Sequence, residues 1–411
     1  MKILHLCTSD LAGGAARAAF RLHQAQRKAG IESFMLVVNK ASDDPFVLSV
    51  SKTRFIFITL ANAVRRFIVQ KQKTSNTTLH SINFFSSGLH RVINKLKPDI
   101  VNLHWICGEM LAIQDVKKIK APIVWTMHDM WAFCGSEHYG EEGHDVRFEE
   151  GYTPLNRPDN HTGLDIDSWT YSRKCKHWSK LRINIVAPSR WLHQCVSRSK
   201  LLSNQDVKTI SNCIDHRVFK PLDKRASRNM LNLPVDKKLI LFGAFNSTSD
   251  PRKGVHVLRD ALKSLVKSDV ELVVYGASHG DIEGQTGIKT HYLGVLHDEF
   301  TLAAAYSAAD VFVAPSLQDN LPNTLVESLA CGTRCIAFDI GGMRDLIPND
   351  KFGQLVSRIN SEDLTEAISQ ELSVQYSPSI VASLSAGLRD EKLIVKSYLE
   401  IYKKAITDYT D

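Results

Sequence analysis

Residues 319–332 read DNLPNTLVESLACG and come shortly after the apolar run Val311–Ala314. The run predicts a buried strand, and the segment from about Asn323 to the closing glycine predicts a helix, since glycine commonly ends helices. Asp319 and Glu327 then lie eight positions apart, one on a loop and one inside the helix. The N–H groups at the helix start favour an anion, whereas carboxylates accept hydrogen bonds from neutral hydroxyls. Phosphate together with a polyol indicates a nucleotide sugar.

Length and composition predict two ordinary folded domains. The chain has 411 residues, with 44% hydrophobic and 23% charged residues, and a single core seldom grows beyond about 250–300 residues. The first residues run directly into the short strand-like segment Ile3–Cys7, which is too short for a signal-peptide core. No window reaches the roughly 18 apolar residues of a membrane span. We therefore expect a cytoplasmic protein.

Strand-like and helix-like segments alternate twice along the chain, the pattern of parallel sheets covered on both faces. The predicted fold class is α/β, with two Rossmann-like halves and a charged, proline-containing linker between them. The predicted boundaries are 1–214, 215–389 and a final amphipathic segment, 390–411. The strands are predicted at 2–7, 34–38, 100–104, 123–127, 183–187, 239–243, 272–276, 291–293, 311–314 and 335–338.

On these elements, the 319–332 stretch resembles the signature of the retaining glycosyltransferases of family four. That signature is Glu, seven residues, Glu and a small-residue run ending in Gly, with Asp319 here in the first position. The resemblance implies the GT-B fold, in which two Rossmann-like domains face each other across a cleft and the last helix crosses back to the first. It implies that Asp319 contacts the donor sugar and Glu327 the ribose hydroxyls. The residues between them would also bind the donor: Asn320, Leu321, Asn323 and Thr324. Without the flanking matches, two such acids would simply be solvated.

Gly13 and Gly14 follow the first predicted strand. Glycines at a strand-to-helix turn let a backbone N–H approach a ligand without a Cβ in the way. The spacing is not G-x-G-x-x-G, and Asn39-Lys40 supplies no acid for an NAD ribose, so dinucleotide binding is disfavoured. The family resemblance implies a position between the acceptor and the donor diphosphate. An ordinary turn would look the same.

Two adjacent cations, Arg252 and Lys253, precede a predicted helix in the second half. Cations at this place neutralise a diphosphate leaving group as the glycosidic bond breaks. The resembling family usually places an Arg directly after the strand-end glycine, where this chain has Ala244. We infer that Arg252 supplies the missing cation. A solvated Arg-Lys pair is the alternative.

His128 follows the strand at 123–127, at the edge where open parallel sheets place ligands. A histidine there can hold a sugar hydroxyl or a phosphate and exchange a proton near neutral pH. The resemblance implies a position beside the reacting sugar, whereas a core histidine bonded to backbone is the alternative. His104 ends the neighbouring strand. Gly294 and Leu296 resemble the nucleobase-facing loop, although a plain turn is equally consistent.

The segment 134–178 is rich in metal-ligating and aromatic side chains. Its histidines and cysteines lack the tight spacing of structural zinc sites, so we expect no metal and no cofactor beyond the nucleotide sugar. Aromatic faces stack on sugars, and the aromatic residues therefore favour an acceptor-side loop. Among them are Tyr152, Trp169, Tyr171 and Trp178.

The segment 52–73 is apolar with cationic edges, and the chain carries a net charge of +7. This composition is typical of an interfacial helix on anionic lipid. A helix packed on the first domain is the alternative. The cationic residues include Arg54, Arg65, Arg66, Lys71 and Lys73. No basic stripe interleaves with aromatics as in nucleic-acid modules, so nucleic acid is not an expected partner.

Together these features predict a retaining glycosyltransferase that moves a sugar from a nucleotide donor, with UDP favoured, to a glycan or lipid-linked glycan. By resemblance the setting is bacterial surface-polysaccharide or O-antigen synthesis, in the cytoplasm or on the inner face of the membrane. The alternatives are an epimerase or a phosphorylase of the same architecture, and a non-catalytic nucleotide-sugar-binding subunit.

Overall fold

The computed structural model describes residues 1–140, 146–243, 250–265, 269–296 and 298–410. The chain forms two compact units. Unit 1 comprises Met1–Cys213 and Lys392–Asp411, and unit 2 comprises Ile214–Glu391. These divisions lie within two residues of the sequence boundaries at 214/215 and 389/390.

Unit 1 is built on a seven-stranded parallel sheet whose strand order is β3-β2-β1-β5-β6-β8-β9. The remaining strands, β4 and β7, form a separate antiparallel pair. The strands are β1 (Lys2–Ser9), β2 (Glu32–Asn39), β3 (Val47–Ser49), β4 (Gln72–Lys73), β5 (Ile100–Leu103), β6 (Ile123–Thr126), β7 (Thr162–Gly163), β8 (Ile183–Ala187) and β9 (Asp206–Thr209). The helices are α1 (Gly14–Lys28), α2 (Lys52–Val69), α3 (Leu89–Leu96), α4 (Ile113–Val116), α5 (Arg147–Glu150), α6 (Ile166–Trp178) and α7 (Arg190–Arg198).

Unit 2 contains a six-stranded parallel sheet with the order β12-β11-β10-β13-β14-β15. Its strands are β10 (Lys238–Gly243), β11 (Val270–Tyr275), β12 (Thr290–Tyr292), β13 (Val311–Ala314), β14 (Cys335–Phe338) and β15 (Gly353–Val356). Its helices are α8 (Lys224–Met230), α9 (Val255–Ser264), α10 (Ile282–Thr286), α11 (Glu299–Ala308), α12 (Asn323–Ala330), α13 (Met343–Leu346), α14 (Ser361–Glu371) and α15 (Pro378–Leu388).

Both sheets are buried on both faces, as their apolar strands predict. Successive side chains of a strand point to opposite faces. In β1, Leu4 and Leu6 therefore pack into one cluster, whereas Ile3 packs into another. The predicted α/β class with two Rossmann-like halves is confirmed. Five strands escaped prediction because each is short and only weakly apolar: β3, β9 and β15 of the two sheets and the separate pair β4 and β7.

The last helix, α16 (Glu391–Thr410), belongs to unit 1 from Lys392 onward. Its buried face contacts the sheet of that unit, where Ile394, Tyr398 and Tyr402 share a cluster with Ile3 of β1. Residues far apart in sequence thus complete one core. Within the described ranges, no helix combines the length and the apolarity needed to cross a membrane.

Candidate active site

In unit 2, the loop after β13 meets the turn before α9. Lys253 Nζ lies 2.7 Å from Asp319 Oδ2, although the two residues are 66 positions apart in sequence. Both side chains are partly exposed, at 23% and 15% respectively. The structure therefore brings together the cation and the first carboxylate of the two predicted donor motifs.

Gly254 allows this meeting. Its φ is +67°, and an added Cβ would lie 1.8 Å from the carbonyl oxygen of Pro315. Any side chain at 254 would force the turn away from the loop after β13. A backbone hydrogen bond of 2.7 Å from Leu317 N–H to the Arg252 carbonyl joins the two segments further.

Arg252, predicted to replace the family's missing cation, lies in the short 3-10 turn Pro251–Lys253. Its guanidinium contacts the Asp250 carboxylate at 2.7 and 3.2 Å. The same carboxylate accepts from the Arg252 backbone N–H at 3.1 Å. The side chain is thus held by a local turn-stabilising pair, and its role toward a ligand stays a prediction. Ala244 lies outside the described residues.

Glu327 is almost fully buried inside α12. Tyr306 of α11 donates its hydroxyl to Glu327 Oε2 at 2.8 Å, and Tyr275 lies 2.6 Å from the Tyr306 hydroxyl. Burial and the neighbouring carboxylate raise the pKa of Tyr306 well above its usual value, so this phenol stays protonated as a donor. The carboxylate is therefore held in place by the protein and is not a solvated surface acid.

The remaining donor-motif residues lie around the start of α12. Asn320 and Leu321 are buried, whereas Asn323 and Thr324 are half-buried at the first turn. After β12, the Gly294 carbonyl accepts from Gly276 N–H at 2.8 Å, which ties the loops after β11 and β12 together. Leu296 packs against the apolar core of unit 2. Their contacts with a nucleotide sugar stay predictions.

In unit 1, Gly13 and Gly14 form the turn between β1 and α1. Gly13 has a φ of +90°, and no heavy atom lies within 4 Å of where its Cβ would be. Helix α1 begins at Gly14, and Arg17 N–H bonds the Gly13 carbonyl at 3.1 Å. A Cβ at Gly13 would meet no neighbouring atom, and the role of this turn toward a ligand stays a prediction.

His128 ends a hydrogen-bonded row of histidines. Its Nε2 lies 3.0 Å from His104 Nδ1, and His104 Nε2 lies 2.9 Å from His5 Nδ1. His5 Nε2 in turn lies 2.8 Å from Gln26 Oε1. Burial lowers the pKa of His5 to about 3 and of His128 to about 4, and the pKa of His104 falls well below its usual value. All three rings are therefore neutral at pH 7.

Sequence reasoning missed His5 and Gln26. His5 lies within the apolar strand β1, and Gln26 lies on the buried face of α1. The available signal was a polar side chain at a strand position otherwise occupied by apolar residues. Such a side chain needs a buried partner, and here that partner is another imidazole.

Asp129, the neighbour of His128, organises the loop after β6. It accepts from Trp105 Nε1 at 3.0 Å and from Trp131 N–H at 3.0 Å, and it lies 2.6 Å from His138 Nδ1. These contacts outweigh burial and lower the pKa of Asp129. Asp129 therefore ties the loop that carries His128 to Trp105 before β6 and to Trp131 and His138 after it.

The interpretation of 134–178 as an aromatic acceptor loop is wrong for three of the four aromatic residues on which it was based. Tyr152, Tyr171 and Trp178 are at most 7% exposed and pack in the core of unit 1, whereas Trp169 is 40% exposed. Their large apolar area favours burial over a solvent-facing role. Among the described residues, no group of three or more His, Cys, Asp or Glu side chains could hold a metal ion. Residues 141–145 of this segment lie outside the described ranges.

The architecture matches those of solved glycosyltransferases over nearly its whole length. Sucrose-phosphate synthase from Thermosynechococcus elongatus aligns with a TM-score of 0.68 at 18% identity, covering 99% of this chain and 100% of that one. HepE of Anabaena, solved with UDP and glucose, gives 0.62 at 17% identity, covering 98% and 100%. WaaG, a glycosyltransferase involved in lipopolysaccharide biosynthesis, gives 0.63 at 13% identity, covering 97% and 99%. The fold is therefore of the GT-B class.

Sequence families agree with the fold. The model of Glycosyltransferase Family 4 matches residues 12–218, about half of the chain, and that of Glycosyl transferases group 1 matches 236–373. The chain belongs to glycosyltransferase family 4. The D-inositol 3-phosphate glycosyltransferase of Saccharomonospora viridis is 27% identical over 226 residues, covering 49% of this chain and 51% of that protein. That of Catenulispora acidiphila is 29% identical over 179 residues, covering 39% and 41%. The chain spans about half or less of the length of these curated relatives.

Proposed function

We propose that this protein transfers a sugar from a nucleotide donor, most favourably a UDP-sugar, to a glycan or lipid-linked glycan acceptor, with retention of the anomeric configuration. The observation that carries the proposal is the contact between Lys253 and Asp319. It joins a phosphate-binding cation to a hydroxyl-binding carboxylate, as a nucleotide sugar requires.

Lys253 acts on the leaving group in this proposal. A lysine ammonium has three N–H donors, and Asp319 accepts one of them. The other two N–H groups of Lys253 donate to oxygens of the diphosphate. The negative charge of these oxygens grows as the glycosidic bond breaks. Asp319 at the same time accepts from a hydroxyl of the donor sugar.

Glu327 binds the ribose. The Tyr306 hydroxyl donates to one oxygen of this carboxylate. The ribose hydroxyls donate to the same carboxylate group in this proposal, since an ionised carboxylate accepts several hydrogen bonds. The Glu327 side chain loses little further freedom on binding, because the Tyr306 hydroxyl already holds it in place.

Retention follows from the roles given to the acids. Asp319 and Glu327 are assigned to binding, so neither acts as a covalent nucleophile. The bond from the anomeric carbon to the diphosphate oxygen breaks, and its electron pair stays on that oxygen. The acceptor hydroxyl attacks from the same face and loses its proton to the departing diphosphate. No metal takes part in this scheme.

A donor and acceptor panel tests the proposal. Thermal shifts with UDP-, GDP- and ADP-sugars identify the base, since a ligand of the native state raises the apparent stability. Transfer is then measured as nucleoside diphosphate release, with glycan acceptors and with D-inositol 3-phosphate, the acceptor in the names of two relatives. Release only with an acceptor supports a transferase. Release with inorganic phosphate alone indicates a phosphorylase, sugar isomerisation an epimerase, and binding without turnover a non-catalytic subunit.

Helix α2 supports a second part of the proposal, contact with an anionic membrane. Its inner face is buried through Ile58, Ala61 and Arg65. Large apolar side chains on the rest of the helix are 41–62% exposed: Phe55, Ile56, Phe57, Leu60, Val64 and Phe67. Exposed apolar residues beside Arg66, Lys71 and Lys73 are typical of an interfacial helix.

The prediction that Arg65 faces lipid is wrong. Arg65 is 8% exposed and donates to Asn62 Oδ1 at 3.1 Å and to the His80 carbonyl. The vesicle test therefore replaces only Arg66, Lys71 and Lys73 by Gln. We expect weaker sedimentation with anionic vesicles, by up to about 1 kcal/mol per cation. The matched control replaces three exposed lysines of α16 (Lys392, Lys396 and Lys403) by Gln. Equal losses in both triple variants would contradict a specific role of α2.

A further inference from the structure

Two exposed aromatic side chains of unit 1 stack on each other. The ring centroids of Phe84 and Trp169 lie 5.4 Å apart, and the two ring planes are inclined by 37°. Phe84 is 42% exposed and Trp169 is 40% exposed. A substantial part of each side chain therefore stays open to a ligand. Phe84 and Trp169 are called the aromatic pair below.

Arg173 holds the aromatic pair in place. Its guanidinium carbon lies 4.8 Å from the ring centroid of Phe84 and 4.9 Å from that of Trp169. The same guanidinium donates to the Ile82 carbonyl at 2.8 Å and to Gln114 Oε1 at 2.8 Å. Because both rings are already fixed by this contact, they lose little further freedom when a ligand stacks on them.

Helix α6 continues from the aromatic pair as a cationic face. Trp169, Arg173 and Lys176 follow each other at spacings of four and three, so they lie on one side of the helix. The helix packs on α4, where Trp178 Nε1 donates to the Ile113 carbonyl at 2.8 Å. Residues that directly follow α4 therefore lie beside this face of α6.

The residues that follow α4 are two further cations, Lys117 and Lys118. Partial burial lowers the pKa of His177 on α6, and so does the positive charge of four neighbours: Lys117, Lys176, Arg173 and Lys118. These four side chains are therefore close enough together to act on one imidazole. They are called the cationic cluster below.

The cationic cluster carries more positive charge than its acidic neighbours balance. Lys118 Nζ lies 2.8 Å from Asp115 Oδ1. Lys117 and Lys176 are exposed, and neither has an ion-pair partner in the part of the chain that the structure describes. An uncompensated group of cations attracts an anionic ligand.

The direction of α6 places the aromatic pair near the ligand-binding edge of the sheet. The helix leads into β8, a strand that pairs in parallel with β6. Helices that connect parallel strands begin at the edge where strands end, which is the edge where open sheets bind ligands. Trp169, in the first turn of α6, therefore lies toward that edge, and Lys176 lies farther from it. An extended ligand can contact both.

We propose that the aromatic pair and the cationic cluster bind an anionic saccharide, a glycan that carries uronic acids. Aromatic rings present a large apolar face to the C–H groups of a sugar, and lysine and arginine bind carboxylates through charge-assisted hydrogen bonds. The inference rests on the proposed transfer to a glycan and makes that acceptor negatively charged. Contact with a membrane would need a broad apolar face like that of α2, whereas here two rings lie among four cations.

Calorimetric titration with a charged saccharide and its neutral form tests the charge. The charged probe is tetragalacturonic acid, and the neutral probe is its methyl ester, which has the same sugar backbone. We expect the acid to bind about tenfold more tightly at low salt, and we expect the difference to shrink as added salt screens the charges. Equal affinities for the two probes would overturn the proposal.

Two variants separate stacking from charge. Replacing Lys117, Lys118 and Lys176 by Gln should weaken binding of the acid about tenfold, since each exposed pair contributes modestly, and should remove most of the salt dependence. Trp169→Ala should weaken binding about fivefold and leave the salt dependence unchanged.

The matched controls are the α16 triple variant (Lys392, Lys396 and Lys403 to Gln) and Phe300→Ala, which removes an aromatic side chain of unit 2 that is 56% exposed. Thermal unfolding checks that all four proteins fold. Parental affinity for the acid in both Trp169→Ala and the triple variant of the cationic cluster would refute the proposal.

Vesicles and a transfer assay complete the test. Sedimentation with phosphatidylserine vesicles that is lost in the cluster variant, without binding of either saccharide, would show that the surface contacts lipid and would overturn the proposal. Binding of the acid without transfer to any acceptor would refute the proposed function and leave this inference standing. Transfer to a neutral glycan that both variants leave unchanged would do the reverse.

Discussion

The candidate sites of unit 1 and unit 2 lie at corresponding places on their sheets and differ in charge. In each unit, polar side chains follow neighbouring parallel strands, where open sheets place their ligands. In unit 1 they are neutral imidazoles, whereas in unit 2 they form the ion pairs Lys253–Asp319 and Arg252–Asp250. Burial penalises charge and lowers the pKa of His5 to about 3 and of His128 to about 4. The four ion-pair side chains of unit 2 are 15–29% exposed.

The largest expected effect comes from removing the Lys253 charge from the candidate site of unit 2. Lys253→Ala should lower kcat by about 10²–10³, the range for removing one group that stabilises a developing charge, and should raise the donor KM much less. Steady-state kinetics with the donor identified above measure both constants. Lys263→Ala is the matched control, since Lys263 also lies 2.8 Å from an aspartate, Asp260, on an exposed helix. Parental turnover in Lys253→Ala would remove this lysine from the site.

Next in size is the loss of the buried carboxylate. Glu327→Ala should weaken nucleoside diphosphate binding by about 1.5–3 kcal/mol, the range for hydrogen bonds to charged groups. Calorimetric titration measures it. Asp319→Ala serves as the control, because it should spare the diphosphate and impair only the sugar donor. Equal affinity in parent and Glu327→Ala would show that the ribose lies elsewhere.

A glycine substitution tests whether close packing between Gly254 and Pro315 brings Lys253 and Asp319 together. Gly254→Ala should destabilise unit 2 by about 1–3 kcal/mol from overpacking, in addition to about 1–2 kcal/mol for its positive φ. Gly287→Ala shares the second cost alone, since its φ is +73° and no atom lies within 4 Å of the added Cβ. Native-state hydrogen exchange of β13 compares the two. Equal losses would contradict the contact with Pro315.

The last effect concerns the buried histidines of unit 1. The folded pKa values of His5, His23 and His128 are about 3, 4 and 4, below the unfolded value of 6.5. Between pH 4 and 6.5 the unfolded chain binds more protons, so the free energy of unfolding of unit 1 falls as the pH is lowered. Each histidine contributes up to about 1.4 kcal/mol per pH unit.

Tryptophan fluorescence is a selective probe of this effect. All six tryptophans (Trp105, Trp125, Trp131, Trp169, Trp178 and Trp191) lie in unit 1. Urea unfolding followed by this signal at pH 4.5 to 7.5 gives the slope of the free energy of unfolding of unit 1 against pH. His23→Gln should reduce the slope by about 1.4 kcal/mol per pH unit below 6.5 and run parallel to the parent above pH 7. A slope that His23→Gln does not change would mean that this ring already titrates normally.

The fold was predictable because its signals are local. Apolar runs gave most strands, and β8, β13 and β14 have the predicted bounds. Motif spacing singled out Lys253 and Asp319 separately, and their contact was not predicted. The histidine row was not predicted either, because it joins residues that are far apart in sequence: His5 lies 99 positions from His104 and 21 from Gln26. The burial of Tyr152, Tyr171 and Trp178 was missed for a related reason, since composition does not tell a stacking platform from a core.

The placement of α16 on unit 1 sets an order of events during translation. Unit 2 is continuous in sequence, from Ile214 to Glu391, whereas unit 1 lacks its closing helix until Lys392 and later residues are made. At about 5–20 residues per second, the ribosome takes roughly 10–35 s to pass from the first part of unit 1 to the second. During that interval the β5–β6 face that later receives Tyr398 and Tyr402 is still uncovered. This apolar face of the first unit therefore stays uncovered until the ribosome has passed through the whole of unit 2.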